Sequence, residues 1–132
     1  MRDGKLLDEN QISRVVVDAA IEVHRTLGGP GLLESVYEES LAWELSSRGL
    51  IVERQLEVPI SYKGNHLSAP LRLDVLVNGL VIVEVKAVSI YHSIFEAQAL
   101  TYLRLTGRKL ALVINFGDVR VANGIHRVVN GL

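Results

Sequence analysis

The sequence predicts an α/β domain with a mixed central β-sheet flanked by helices, in the order α-α-β-β-β-α-β-β. Apolar side chains recur at helical spacing in two segments before residue 50, which predicts a pair of leading helices. Two apolar strand patterns then meet at Asn78-Gly79, a dipeptide typical of hairpin turns. A third helical segment separates this hairpin from a nearly continuous apolar strand at residues 109–116. A strand, a helix and a buried strand in succession indicate a right-handed parallel crossover.

The two leading helices have recognisable ends. The first can be capped by Asp8 or Asn10, and its apolar face comprises Ile12, Val15, Val16, Ala19, Val23 and Leu27. It stops or kinks at residues 27–31, LGGPG, because two glycines and a proline continue a helix only at a cost. The second helix runs from this loop to about Ser47, before Gly49. Its expected buried residues are Leu33, Val36, Tyr37, Leu41 and Leu45.

The remaining elements follow from alternation and capping patterns. Residues 51–62, IVERQLEVPISY, alternate enough to form a strand. The third helix opens with an apparent capping box of Ser93 and Glu96 and closes at Gly107. Residues 119–129, VRVANGIHRVV, predict a last short strand that folds back as a hairpin or sheet edge.

Composition limits the class of protein. At 132 residues and 48% hydrophobic content, the chain suffices for one domain, which we place at residues 1–132. No apolar run approaches the roughly 18 residues of a membrane span, and residues 1–11 lack the layout of a signal peptide, so we expect a cytoplasmic protein with no membrane partner. The absence of cysteine excludes disulfides and thiolate zinc sites. With a net charge of −1, any attraction to nucleic acid must come from a local basic patch.

Three charged residues interrupt the apolar hairpin: Asp74, Glu84 and Lys86. Side chains alternate along a strand, so Glu84 and Lys86 share a face. A two-residue turn would direct Asp74 to the opposite face. A three-residue loop with Gly79 at positive φ would place Asp74 opposite Ile82 and diagonal to Glu84. We expect the three-residue loop, which gathers all three charges.

Such a cluster suits a particular chemistry. Two carboxylates a few ångström apart repel each other unless a cation lies between them, and a hard ion such as Mg²⁺ or Mn²⁺ is the natural occupant. A neighbouring lysine can position a water or a phosphate oxygen, so the set suits metal-assisted hydrolysis of a phosphodiester. The alternative from the same spacing is a cross-strand ion network of Asp74, Glu84 and Lys86 on a solvated sheet face.

Four further residues are candidates for the same site, each with a structural alternative. Glu34 lies at the edge of the buried stripe of the second helix, although a carboxylate in a first turn also complements the helix dipole. Tyr37, one turn later, is equally a core residue with a bonded hydroxyl. Gln98 and Tyr102 form a polar stripe on the third helix. Gln98 can touch a substrate phosphate or the lysine, or it can satisfy a buried backbone group.

These residues carry a resemblance to a known family. Asp74 followed by Glu84-Val85-Lys86 resembles the D…ExK signature of the PD-(D/E)XK nuclease superfamily, and Gln98-x-x-x-Tyr102 resembles the QxxxY element of its RecB-like branch. Residues 31–37, GLLESVY, match the motif of the GxxExxY protein family. Further landmarks of that family are YKG at 62–64, RLD at 72–74, EAQ at 96–98 and INFG at 114–117. The sequence departs from the family pattern by an additional glycine before Gly31 and by the lead-in SAPLRLD to Asp74.

The resemblance implies a restriction-endonuclease-like core and a metal-dependent nuclease that acts on nucleic acid, with DNA as the expected substrate and RNA as the alternative. The implied ligands of Mg²⁺ or Mn²⁺ are Asp74, Glu84, the Val85 carbonyl and, directly or through water, Glu34. Lys86 would position the attacking water, and Gln98 would orient Lys86 or a phosphate.

The sequence also leads to expectations about substrate contacts and partners. The residues expected to contact substrate are Tyr37, Gln98, Tyr102 and Arg72, with Lys63, Arg104, Arg108 and Lys109 as further basic candidates. The alternative function is a nucleic-acid-binding or protein-binding module that retains the nuclease fold without turnover. The small size and near-neutral charge also favour a homodimer or a protein partner that helps to grip the substrate.

Overall fold

A computed structural model describes residues 6–132 as three helices and a five-stranded sheet. The predicted single domain also includes residues 1–5, which lie outside the described residues. The helices are α1 (Glu9–Leu27), α2 (Glu34–Ser47) and α3 (Ile94–Thr106), and Val121–Gly124 form a short 3-10 helix. The strands are β1 (Val52–Val58), β2 (Ser61–Tyr62), β3 (Asn65–His66), β4 (Leu71–Val77), β5 (Val81–Lys86), β6 (Leu110–Asn115) and β7 (Ile125–Val129).

The main sheet has the strand order β1-β4-β5-β6-β7, and β2 and β3 form a separate two-stranded ribbon. All neighbouring pairs in the main sheet are antiparallel except β5 and β6, which are parallel and are connected through α3. The predicted mixed sheet and the predicted order of its elements are therefore confirmed. No helix within residues 6–132 has the length and apolarity that a membrane crossing requires.

Helices cover both faces of the sheet. One apolar cluster joins α1 and α2 to alternate residues of the central strands, such as Val83 and Leu112. The other cluster joins α3 to the intervening residues, such as Ile82 and Ala111. Because both faces of β5 and β6 are covered, these strands are apolar along nearly their whole length. A charged residue in β5 therefore stands out from its neighbours.

The helix ends agree with prediction at one terminus and differ at another. Asp8 caps α1 in a reciprocal pair of bonds: the Gln11 amide donates to Asp8 Oδ1 (2.8 Å) and the Asp8 amide donates to Gln11 Oε1 (2.9 Å). The capping box predicted for Ser93 and Glu96 is wrong. Ser93 has helical dihedral angles and makes no side-chain cap bond, while Glu96 accepts a hydrogen bond from the Tyr91 hydroxyl instead.

The start of α2 also corrects the prediction. Leu33 and Val36 were expected to be buried, but they are 74% and 37% exposed. Leu33 is the N-cap of α2 rather than part of it, because the preceding loop redirects the chain through glycines at positive φ, including Gly29 and Gly31. The buried face of α2 begins one turn later, with Tyr37.

The β4–β5 hairpin has the predicted three-residue loop but a different register. Val77 pairs with Val81, so the loop is Asn78-Gly79-Leu80, and Gly79 has φ 66° as expected. Asn78 also has positive φ, and its amide and side-chain oxygen are both bonded to Ile51 (2.8 and 2.7 Å). This contact removes Asn78 from the strand pairing.

The register moves one acid relative to the prediction. Continued from the pairs Leu76–Ile82 and Val75–Val83, it places Asp74 directly opposite Glu84, not opposite Ile82. Asp74 and Glu84 nevertheless lie side by side, because each carboxylate accepts a hydrogen bond from a backbone amide of the other strand.

Simple alternation fails in β4 at Asp74. Leu73 packs in the cluster with α3, whereas Val75, two residues later, packs in the cluster with α1 and α2. On the neighbouring strand, the residue opposite Asp74 is Gln55, which has φ 49°. A left-handed residue in a strand changes the direction of the chain, so β1 and β4 both turn at this position.

Candidate active site

The two acids lie where β4 and β5 separate. Regular pairing of these strands ends at Val75 and Val83. Beyond that point the Val85 amide donates to Asp74 Oδ2 (2.9 Å), and the Asp74 amide donates to Glu84 Oε2 (3.0 Å). Each carboxylate therefore replaces a backbone acceptor that the separated strands no longer provide.

The other oxygen of each carboxylate is available to a ligand. Within residues 6–132, Asp74 Oδ1 and Glu84 Oε1 accept no hydrogen bond. Glu84 is only 5% exposed. Burial, and then the negative charge of Asp74, raise the pKa of Glu84 to about 8. The pair therefore binds a proton, or a cation in its place, more readily than an isolated glutamate would.

The Val85 carbonyl faces the same gap between the strands. In a strand, the N–H and C=O of one residue point to the same neighbouring strand. The Val85 amide is directed to Asp74 on the β4 side, so its carbonyl is directed there as well, where pairing with β4 has ended. Lys86 fits this alternation, because its carbonyl accepts from Phe116 on the β6 side (2.8 Å). Three oxygen donors of the kind that Mg²⁺ and Mn²⁺ prefer thus face one gap.

Lys86 is next to the acids without being paired to them. Its Nζ lies 4.7 Å from the centre of the Phe95 ring. In the part of the chain that the structure describes, no carboxylate is within ion-pair distance of Lys86, and the ion pairs of this protein lie elsewhere. A cross-strand ion network of Asp74, Glu84 and Lys86 is therefore not what these residues form.

Glu34 lies at the margin of the site. It is the first residue of α2 and more than a third exposed. Partial burial raises its pKa, the charge of Lys86 lowers it, and the charges of Asp74 and Glu38 raise it, with a net increase. Glu34 is thus close enough to Lys86 and Asp74 for the charges of both to act on it. It does not complete a metal cage, because no three His, Asp or Glu side chains among residues 6–132 converge closely enough to hold an ion.

Glu38 is a buried acid that the sequence patterns did not single out. It is 5% exposed and accepts hydrogen bonds from Arg54 Nε (3.2 Å) and Gln55 Nε2 (2.8 Å). Gln55 is the left-handed residue opposite Asp74, so these bonds help to hold the turn of β1 beside the acids. Glu38 could have been identified from the sequence by its position four residues after Glu34, since residues i and i+4 share a helix face.

The third helix contributes Tyr102 and Gln98 in different ways. Tyr102 is half-buried, and burial followed by the charges of Glu84 and Asp74 raises its pKa, so it lies on the acid side of α3. Gln98 is exposed and lines an open groove of about 400 Å³ with other residues of α3, among them Phe95. Because Gln98 is exposed, it is not the buried side chain that its alternative role, satisfying a buried backbone group, requires.

Tyr37 and Arg72 are not brought to the acid pair. Tyr37 is fully buried, its hydroxyl donates to the Gly29 carbonyl (2.7 Å) and accepts from the Leu32 amide (3.2 Å), and its ring stacks on Phe116. Tyr37 is therefore the core residue with a bonded hydroxyl that the sequence offered as the alternative to a substrate contact. Its buried side chain leaves no surface for a substrate. Arg72 is exposed and pairs with Glu57 at 3.5 Å on the outer part of β1 and β4.

Comparison with known proteins gives one match. A family model described as the PD-(D/E)XK nuclease superfamily matches residues 10–128, from the second residue of α1 to the penultimate residue of β7. The matched region contains Asp74, Glu84 and Lys86. Searches of curated proteins and of solved structures gave no significant match.

Proposed function

This chain belongs to the PD-(D/E)XK nuclease superfamily, and we propose that it is a metal-dependent nuclease that hydrolyses phosphodiester bonds of nucleic acid, with DNA as the proposed substrate and RNA as the alternative. The observation that carries the proposal is the unpaired Lys86 beside the acid pair. An ammonium that served only stability would be expected to pair with one of the nearby acids. Here it keeps its hydrogen-bond donors for another partner.

The donor set fits a divalent metal ion. Asp74 Oδ1, Glu84 Oε1 and the Val85 carbonyl are hard oxygen donors, and a cation would offset both the burial and the repulsion by Asp74 that raise the pKa of Glu84. Members of the superfamily generally use divalent metals, and we propose Mg²⁺ or Mn²⁺. When bound, such an ion polarises a phosphoryl oxygen and offsets the charge that develops at phosphorus.

The chain's own residues then have distinct roles. Lys86 donates hydrogen bonds that orient the attacking water toward phosphorus. Glu34, whose charge surroundings include both Lys86 and Asp74, is proposed to share that water or to reach the ion through it. Gln98 and Tyr102 are proposed to contact the substrate backbone along α3, with Gln98 in its open groove.

Few residues in the described part of this chain are available to bind the phosphate backbone of a substrate. Arg72 stays a proposed phosphate contact, although its present partner is Glu57. An exposed pair of this kind is weak and is readily exchanged for a phosphate. A homodimer or a protein partner is proposed to supply further contacts, since the chain carries a net charge of only −1. A nucleic-acid substrate agrees with the cytoplasmic location predicted from the sequence.

The test is cleavage of labelled single-stranded and double-stranded DNA and RNA, with Mg²⁺, Mn²⁺ or a chelator. Lys86→Ala should retain metal-dependent stabilisation and substrate binding but lose cleavage by about 10²-fold or more, because its effect belongs to the transition state. Arg25→Ala is the matched loss of a cation, on α1 where Arg25 pairs with Glu22, and it should cleave like wild type. Equal cleavage by Lys86→Ala and wild type would contradict the proposed role.

A binding module is the second candidate, and one observation favours it. The two acids bond to backbone amides, so they serve the fold even without turnover. Wild-type protein that binds metal and nucleic acid yet cleaves none of these substrates with either ion would establish the module in place of the nuclease.

A further inference from the structure

We infer that Phe95 is a positioning residue, an aromatic platform at the start of α3 that holds the Lys86 ammonium beside the acid pair. The inference rests on the proposed nuclease function for its catalytic consequence, but the placement itself can be tested without cleavage.

The contact between the two side chains is a cation–π interaction. Lys86 is the last residue of β5, and Phe95 is the second residue of α3. Lys86 Nζ lies 4.7 Å from the ring centre, well inside the range at which a ring attracts a cation. Both side chains are half-buried, which strengthens the attraction relative to an exposed pair.

The platform is itself fixed by its neighbours. Tyr91 meets Phe95 edge to face at 5.4 Å and stacks on His126 of β7 at 4.0 Å. The Tyr91 hydroxyl donates to Glu96 Oε2 (3.2 Å), which also lies 3.8 Å from His126 Nδ1. The ring of Phe95 is therefore held from the loop before α3 and, through Tyr91, from the far edge of the sheet.

An aromatic platform holds the Lys86 ammonium without occupying its N–H donors, which a carboxylate partner would occupy. A carboxylate would hold Lys86 by accepting its N–H bonds, and those donors would then be lost to a water or a phosphate. A ring face attracts the charge of the ammonium as a whole, so the N–H groups can still point elsewhere. Phe95 thus gives the Lys86 ammonium a partner that leaves its N–H donors free. The alternative is that Phe95 is only part of the apolar cluster under α3, to which Leu100 also belongs.

Three variants separate these roles. Phe95→Leu keeps an apolar side chain but removes the ring, Phe95→Tyr restores a ring, and Leu100→Val trims the same cluster on the same helix without touching Lys86. In a ¹³C-edited proton spectrum, the Lys86 Hε signal is identified by its loss in Lys86→Ala. The ring should shift this signal upfield in wild type, Phe95→Tyr and Leu100→Val, and Phe95→Leu should return it to the position of an ordinary lysine.

The catalytic readout is the split between kcat and KM. Phe95→Leu should lower kcat about tenfold, the size of a partly desolvated cation–π contact, and leave KM and the metal-dependent rise in Tm unchanged. Phe95→Tyr should restore kcat. Phe95→Leu combined with Lys86→Ala should be no slower than Lys86→Ala alone. Equal losses in Phe95→Leu and Leu100→Val would overturn the inference.

The two proposals can fail separately. An upfield Lys86 signal that depends on Phe95, in a protein that cleaves no substrate, would support the platform and count against the nuclease. A cleaving protein whose Lys86 signal is the same in wild type and Phe95→Leu would overturn the platform and support the nuclease.

Discussion

The two ends of the β4–β5 hairpin follow different rules within a few residues of each other. At the turn end, Leu76 pairs with Ile82 and Val75 with Val83, and all four side chains are buried and apolar. At the open end the strands separate, and carboxylates take the place of the strand pairing. Apolar burial and backbone hydrogen bonds hold the turn end. Hydrogen bonds from backbone amides to two carboxylates hold the open end, although these carboxylates would repel each other if both were ionised.

The difference shows how one hairpin supports both stability and chemistry. The buried end tolerates no polar group without a partner, so its register is strongly fixed. That register delivers Asp74 and Glu84 opposite each other at the point where the sheet opens. The open end should therefore be sensitive to cations and protons, and the turn end should not.

The largest expected effect is on stability, from the turn end. Ile82→Ala should lower the free energy of unfolding by about 2–5 kcal/mol, because Ile82 is fully buried and its loss leaves a cavity. Its remaining stability should still rise with Mg²⁺ or Mn²⁺. Urea unfolding measures both quantities, and Ile90→Ala is the control, since Ile90 is 84% exposed and should change stability little. If Ile82→Ala also lost the stabilisation by metal, the claim that the turn end does not affect the metal response of the open end would be contradicted.

The next effect is the response of the open end to metal. Mg²⁺ or Mn²⁺ at about 100 times its Kd should stabilise the wild type by about 2.7 kcal/mol. Asp74→Asn should lose most of this gain, although its amide oxygen can still accept from Val85. Thermal melts with and without each ion provide the measurement. Asp18→Asn, at an exposed position of α1, is the control and should respond to metal like wild type. No rise in Tm with either ion would count against the metal site.

The third effect, the smallest when it is measured over a single pH unit, is the response of the open end to protons. The pKa of Glu84 is raised from 4.5 to about 8 on folding, so the folded chain binds more protons than the unfolded chain in that interval. The stability linked to Glu84 is thus fully present below about pH 4.5 and is lost as pH rises to about 8, by at most about 1.4 kcal/mol per pH unit. Glu84→Gln should flatten this slope in metal-free unfolding experiments. An identical slope in the two proteins would refute the assignment to Glu84.

The fold could be predicted from the sequence wherever local patterns decide it. Helical spacing located α1, Gly107 marked the end of α3, and the alternation around Asn78-Gly79 located the hairpin. Its register could not be predicted, because the contact between Asn78 and Ile51 joins residues 27 positions apart. The switch of faces at Asp74 was also hidden, since nothing in the sequence marks Gln55 as a left-handed residue.

The site was predictable to the extent that it violates the surrounding pattern. Asp74 and Glu84 were identified because charges are rare in apolar strands. Phe95 was missed for the opposite reason: an aromatic residue on an amphipathic helix fits the pattern of a core residue. Tyr37 was expected to reach substrate and is instead enclosed by the loop that it bonds. A functional residue of the type that the fold itself requires at that position cannot be recognised from the sequence pattern.

The bonds from Asp74 and Glu84 to backbone amides have a consequence for divergence within the family. A descendant that lost its catalytic activity would still be under selection to keep both acids, because replacing either with an apolar residue leaves an amide at the sheet opening without an acceptor. The Lys86 side chain has no such duty to the backbone, since among residues 6–132 its ammonium forms no ion pair and lies over the Phe95 ring. In related sequences, drift at the lysine position should therefore mark inactive lineages earlier and more reliably than drift at the acids.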